Sequence, residues 1–286
     1  MGYKTILVHI NDERRLPGLL DVATALARQH GAHLIGLSVL PPIIIYPGGE
    51  TSFAIPAIIE SHRDAYRLEE ARMKALFEKV TGEQPQLGAF TAEWRSIDAG
   101  TLPTAAEALL PVARSVDLVI ASQADPKWNS SHMLDVPDRL ATDSGRPVLV
   151  VPNAPHRPFS TKRILVAWNG RREATRAVYD ALPLLRKADD VAVTWLAYED
   201  DTAMPGDIPA ADLCTTLARH GVKCQALAVV DRKGSAGEAL LFEAQKFDWD
   251  LLVMGCYGHS RFREFILGGA SRHVLGHATV PILMSH

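Results

Sequence analysis

Between Gly255 and Gly269 the chain reads G-CY-G-HSRFREFIL-G-G, with His259, Arg261 and Arg263 between the glycines and Arg272 just beyond. Glycine adopts left-handed backbone angles at little cost and lets backbone N–H groups approach a ligand closely. The apolar run DWDLLVMG precedes the segment, so Gly255 stands at the end of a buried strand. Gly268 and Gly269 open the next helix, whose free N–H groups and dipole favour a phosphate. The cations add attraction, and Glu264 partly offsets it. An anion-binding loop is one reading, and a set of glycine turns is the other. These residues alone leave both open.

Other chemistry is sparse. His273 and His277 are spaced i, i+4 and share a helix face, but no HExxH pattern or third ligand accompanies them, so no metal site is assigned. Glu199, Asp200 and Asp201 follow an apolar strand and read as a solvated charge run, with Mg2+ beside a triphosphate as the competing role. There is no GxSxG elbow, no Walker A lysine and no glycine fingerprint after a first strand. No catalytic base can be named, so no catalytic residue is assigned and any ATP hydrolysis is expected to be slow at most.

The elements that must position the loop are written twice. KTILVHIND from Lys4 matches KRILVAWNG from Lys162, and GTLPTAAEALL from Gly100 matches GSAGEALL from Gly234. DLVIAS from Asp117 matches DLLVMG from Asp250, and RPVLVVP from Arg146 matches VPILMSH from Val280. The offset falls from 158 at Lys4/Lys162 to 133 at Asp117/Asp250, so the first copy carries 25 extra residues, placed around Pro41–His62. That segment reads as a loop before a helix; its Ile, Tyr and Phe make a lid or partner surface the competing role. The Pro-rich stretch Pro152–Thr161 reads as a linker. Two domains follow, 1–153 and 160–286.

Each copy alternates near-continuous apolar strands with amphipathic helices, the pattern of a parallel sheet covered on both faces. The expected fold is α/β, two doubly wound parallel five-stranded sheets of Rossmann-like type. Ligands then bind at the strand C-termini near the switch in strand order.

The composition narrows the function. Lys plus Arg number 30 against 33 Asp plus Glu, a balance that argues against nucleic acid as a partner. No run approaches a membrane span, and MGYKTILVHI enters strand-like sequence directly, without a signal-peptide pattern. Cys214, Cys224 and Cys256 have no CxxC spacing and suit a reducing compartment. A cytoplasmic location is expected.

The segment from Gly255 fits the Gly-x2-Gly-x9-Gly-(Ser/Thr) loop of the ATP-binding universal stress proteins except at its last position, Gly269. KRILVAWNG, GEALL and VPILMSH match the same family, and the two copies resemble its tandem members. The resemblance implies an adenine nucleotide alpha-hydrolase-like fold. It implies ATP, with or without Mg2+, as the ligand, and a role in stress response or signalling through a partner protein not identified by the sequence. It places Ala167, Asn169, Leu196 and Met254 along the adenosine, and Gly255, Gly258, Gly268 and Gly269 at the phosphates. Asn169 stands where the family usually has Asp, and Ser271 is expected to supply the hydroxyl that Gly269 lacks.

In the first copy Ser122 replaces the first glycine, Asp125 the second, and Asp135 and Pro137 lie near the last helix start. Carboxylates repel phosphate and the missing glycines close the loop, so this copy is expected to keep the fold without the site. The departures at Asn169 and Gly269 leave a second class open, a nucleotide-free interaction scaffold. By the same resemblance, the fifth strands of the two copies pair antiparallel about a pseudo-two-fold axis. This intramolecular pseudo-dimer leaves higher homo-oligomers to other surfaces.

Overall fold

The computed structural model describes residues 2–42, 55–82, 90–100, 102–124, 136–155, 157–198, 210–231, 235–256 and 269–286. The first copy runs β1 (Thr5–Ile10), α1 (Leu16–His30), β2 (His33–Leu40), α2 (Ile55–Gly82), β3 (Ala92–Asp98), α3 (Ala105–Ala113), β4 (Leu118–Ser122), α4 (Val136–Asp143) and β5 (Val148–Val151). The second runs β6 (Arg163–Ala167), α5 (Arg172–Leu185), β7 (Asp190–Tyr198), α6 (Ala211–Arg219), β8 (Cys224–Asp231), α7 (Ala236–Lys246), β9 (Leu251–Gly255), α8 (Gly269–His277) and β10 (Ile282–Ser285).

The two expected sheets are halves of one ten-stranded sheet, ordered β3-β2-β1-β4-β5-β10-β9-β6-β7-β8. Every pairing within a copy is parallel. The central step is antiparallel, with Ile282 opposite Val150 and Met284 opposite Val148. Read from its outer edge inward, each copy has the same strand order. Joining β5 to β10 removes two apolar edges that would otherwise leave N–H and C=O groups unpaired.

Side-chain alternation along the strands divides the core into two layers. Leu109, Leu140, Leu240 and Val274 put α3, α4, α7 and α8 on one face. Leu19, Phe77, Val178 and Leu217 put α1, α2, α5 and α6 on the other.

The repeated landmarks have matching physical jobs. Asp117 Oδ2 accepts from the amides of Lys4 (2.7 Å) and Thr5 (3.0 Å). Asp250 Oδ2 does the same for Lys162 (3.1 Å) and Arg163 (2.9 Å). In each copy a carboxylate at the start of the fourth strand anchors the first strand beside it. Thr104 and Ser235 cap α3 and α7 by accepting from the amides of Glu107 and Glu238, both at 3.4 Å, the donor pattern of a capping box.

Part of the insertion is helical. The helix after the second strand has 28 residues in the first copy and 9 in the second. The expected loop is therefore helix from Ile55 onward, and residues 43–54 lie outside the described set. Tyr66 fastens α2 over the end of β2, donating to Val39 O at 2.6 Å and lying 2.9 Å from Ser38 Oγ.

The linker is pinned at several points. Ser160 Oγ meets Asp250 Oδ2 at 2.9 Å, Arg157 pairs with Asp248 and with Asp250 (3.2 Å), and Asn153 N donates to Gln123 Oε1 at 3.0 Å.

Candidate functional site

The site is built on the C-terminal ends of β7, β6 and β9. Ala167 is paired with Thr194 on one side and Met254 on the other, so three predominantly small or unbranched side chains stand in a row across the sheet. Met254 and Thr194 are buried, and Ala167 is half-buried. The Thr194 hydroxyl, in a residue only 1% exposed, has no hydrogen-bond partner. A buried hydroxyl without a partner costs free energy that a ligand or water would recover. Leu196 lies two residues further along β7, opposite Val229, and its side chain is outside the described residues.

Gly255 closes β9, and the structure gives its glycine a definite reason. An ideal Cβ there would lie 2.5 Å from the Ala174 amide nitrogen and the Glu173 carbonyl carbon. The first turn of α5 lies directly across Gly255, backbone against backbone, so any side chain would push the helix away. The φ angle of Gly255 is not positive; close approach, not a left-handed turn, demands the glycine.

The start of α5 therefore borders the row. Arg171 is its N-cap residue and makes no side-chain cap. Instead Asn169 Oδ1 accepts from the Arg171 amide at 3.1 Å, and Gly170 between them has φ 68°. Asn169 thus shapes the turn from β6 into α5, and its exposed amide nitrogen has no hydrogen-bond partner among the described residues. Burial pushes the Glu173 carboxyl up, but the Arg172 guanidinium, paired at 2.6 Å, and a backbone amide hold it below the usual range. A charged carboxylate thus sits in the first turn, where the helix dipole favours it.

The far wall is α8. Gly269 opens it, with nothing among the described residues within 4 Å of where a Cβ would stand, and Ser271 is buried in its first turn. Its position is set by Gly237 of α7, where a Cβ would meet Ala270 O at 2.8 Å and His273 Cβ at 3.0 Å. Sequence reasoning passed over Gly237. Its signal was present, since a glycine inside an otherwise amphipathic helix marks a close approach. The stretch 257–268, with Gly258, Gly268, His259, Arg261 and Arg263, lies outside the described residues, as do Glu199, Asp200 and Asp201. Of the expected residues the structure therefore brings Ala167, Asn169, Met254 and Gly255 to the C-terminal ends of the adjacent strands β6 and β9, with Gly269 and Ser271 on the helix that follows the loop. His273 and His277 stack at 4.4 Å, with His277 Nδ1 2.9 Å from His273 O, and no group of three potential metal ligands occurs among the described residues.

The same place in the first copy is filled differently. By strand register His9 stands where Ala167 stands, paired with Leu37 where Ala167 has Thr194. His9 is 1% exposed, neither ring nitrogen has a partner, and burial drops its pKa to about 4. It is a neutral imidazole occupying volume. Ser122 replaces Gly255, with its hydroxyl 3.5 Å from Asn11 Oδ1. Asp125 and Asp135 lie outside the described residues.

The copies also grip each other beside this site. The buried Gln123, next after β4, donates from Nε2 to Leu275 O (2.8 Å) and Ala278 O (3.3 Å) at the end of α8. Its counterpart Cys256, next after β9, has its thiol 3.4 Å from Ser285 O and only 3.8 Å from Ala141 O of α4. The Cys256 amide donates to Ser285 O at 2.9 Å, as the Gln123 amide does to Val151 O at 2.8 Å.

The family model described as the universal stress protein family matches residues 160–286. Residues 160–286 are thus similar to the universal stress protein family. A universal stress protein of Synechocystis sp. is 26% identical over 160 residues, covering 55% of this chain and 53% of that one. The match thus spans about half the length of that curated relative. The crystal structure of a universal stress protein from Archaeoglobus fulgidus covers 98% of this chain and 95% of that one, with a TM-score of 0.66 at 15% identity. That likeness shows a common fold over both copies. A universal stress protein solved in complex with cAMP is 24% identical, covering 53% of this chain and 98% of that one, with a TM-score of 0.31. Among the described residues no helix is long and apolar enough to cross a membrane.

Proposed function

We propose that the chain is a tandem universal stress protein that binds one adenine nucleotide, ATP, in its second copy and works by ligand-dependent change of shape or partner. Residues 1–153 and 160–286 are its two domains, related by a pseudo-two-fold axis through the β5–β10 pair, and only the second holds nucleotide. The observation that carries this reading is the contrast at one position. Ala167 leaves room at the end of β6, beside an unpartnered hydroxyl on Thr194, whereas a buried imidazole, His9, stands there in the first domain.

The residues fit the ligand. Ala167, Leu196 and Met254 offer an apolar wall to the adenine, and the Asn169 amide nitrogen is available to the ribose. The loop from Gly255 through Gly258 to Gly268 and Gly269 suits the phosphates, with Ser271 behind it. Among the described residues none is placed to activate a nucleophile, and on this reading the domain holds ATP without efficient turnover. A nucleotide-free scaffold of the same fold is the second reading. It is favoured by Asn169, whose Oδ1 is already engaged by Arg171 N.

Native mass spectrometry of the purified protein, followed by calorimetry with ATP, tests the choice. One bound adenine nucleotide per chain is expected, and Gly268→Val is expected to abolish it while the circular dichroism spectrum is kept. Two equivalent sites would contradict the account of the first domain, and no binding at millimolar ATP would leave the scaffold reading.

A further inference from the structure

Cys214 and Cys224 are distant from the proposed nucleotide site and unexplained by it. Cys214 lies in the middle of α6 and Cys224 opens β8, the outer strand of the sheet. The chain returns between them through Gly221, at φ 80°, and Val222 N bonds back to Leu217 O at 3.1 Å. This tight return lays the helix on its own strand. The Cys224 thiol donates to Cys214 O at 3.6 Å, which brings its sulfur up against the Cys214 residue. Both residues are free cysteines of intermediate exposure, whereas Cys256 is buried. Two half-exposed cysteines that meet on adjacent elements form a dithiol.

We infer that Cys214 and Cys224 are a peroxide-oxidisable pair that closes to an intramolecular disulfide, stapling α6 to the sheet edge. Cys214 is the sulfur that reacts first. Burial pushes both thiols up, Cys224 to about 12, but the neighbouring Cys224 as a donor favours the Cys214 thiolate and partly offsets the effect. The thiolate attacks one peroxide oxygen and breaks the O–O bond. Cys214 becomes a sulfenic acid, and the departing hydroxide takes the proton that the Cys214 thiol gave up, as water. The Cys224 sulfur then attacks the sulfenic sulfur; the S–S bond forms, the S–O bond breaks, and the leaving hydroxide departs as water with the Cys224 proton. In sum two thiols lose two protons and two electrons, and one peroxide becomes two waters. Thiolate is scarce at both sulfurs, so closure is slow compared with a dedicated peroxidase. The contact makes the disulfide, not a higher sulfur oxide, the product.

The experiment uses the full-length reduced protein treated with hydrogen peroxide. Thiols titrated in denaturant are expected to fall from the three in the sequence to one. The intact mass should drop by two hydrogens, a proteolytic map should join the Cys214 and Cys224 peptides, and a dithiol reductant should reverse all three changes. Cys214→Ser is expected to keep its mass and Cys224→Ser, which lacks the second thiol, to gain oxygen at Cys214 without losing hydrogens, while the disulfide raises the thermal midpoint of the parent by a few degrees. In the parent, retention of three thiols under excess peroxide, gain of oxygen at Cys214, or a bridge through Cys256 or between chains would overturn the inference. None of these readouts depends on nucleotide.

Discussion

Two copies built on one plan differ where their strands end. In the second, Ala167, Thr194 and Met254 form a low row and Gly255 admits α5 against the sheet. In the first, His9 and Leu37 take the equivalent places, Ser122 replaces the glycine, and α2 is fastened by Tyr66 over the end of β2. The frame is the same in both, down to the aspartates that anchor the first strands. A fold can therefore be inherited intact while the site it carries is emptied or filled by a few side chains.

The comparison breaks hardest at Gly255. Gly255→Val is expected to cost more than about 3 kcal/mol, or to prevent folding, because the clash is with α5 backbone and not with a movable side chain. Ser122→Val, at the equivalent position, should cost no more than about 1.5 kcal/mol. Urea denaturation of the two variants side by side checks the difference, and equal costs would mean that α1 and α5 approach the sheet alike.

The next largest effect is a pH dependence. His9 has its folded pKa depressed to about 4, so the unfolded chain binds the proton more readily. Its neutral form contributes full stability above the ordinary histidine range, near pH 6.5. That contribution is lost as pH falls from there toward 4, at roughly 1.4 kcal/mol per unit. His30, also depressed to about 4 by burial and by Lys187 and Lys4, adds to the same slope. His9→Leu removes two unpartnered nitrogens from the core. It should flatten the acid limb by about one proton's worth and leave the His30 part. An unchanged slope would show that the His9 ring is hydrated.

The smallest of the three tests the seam. Gln123→Leu leaves Leu275 O and Ala278 O without their donor and should cost about 1–3 kcal/mol. Its cost should exceed that of Cys256→Ala, whose thiol contact with α4, at 3.8 Å, is long. Thermal unfolding of both variants decides the order.

Much of this molecule was legible in its residues. The duplicated landmarks gave both copies, the alternation of strand and helix, and the linker position, because periodicity and capping are local properties written in adjacent residues. The loop from Gly255 was legible as a place for chemistry. Its first glycine was not legible as a packing requirement, since the atoms that forbid a side chain there belong to Glu173 and Ala174, some 80 positions away in sequence. The merging of two sheets into one was open to inference only by family likeness, and the β5–β10 register came from the folded chain. His9 as a filler, Gln123 as a bridge to α8, and the Cys214–Cys224 contact were set by which faces meet. The sequence by itself determined the two doubly wound units and the candidate loop. Tertiary structure decided which side chains meet at the strand ends, because that depends on volumes brought together across strands, and no spacing along one chain records them.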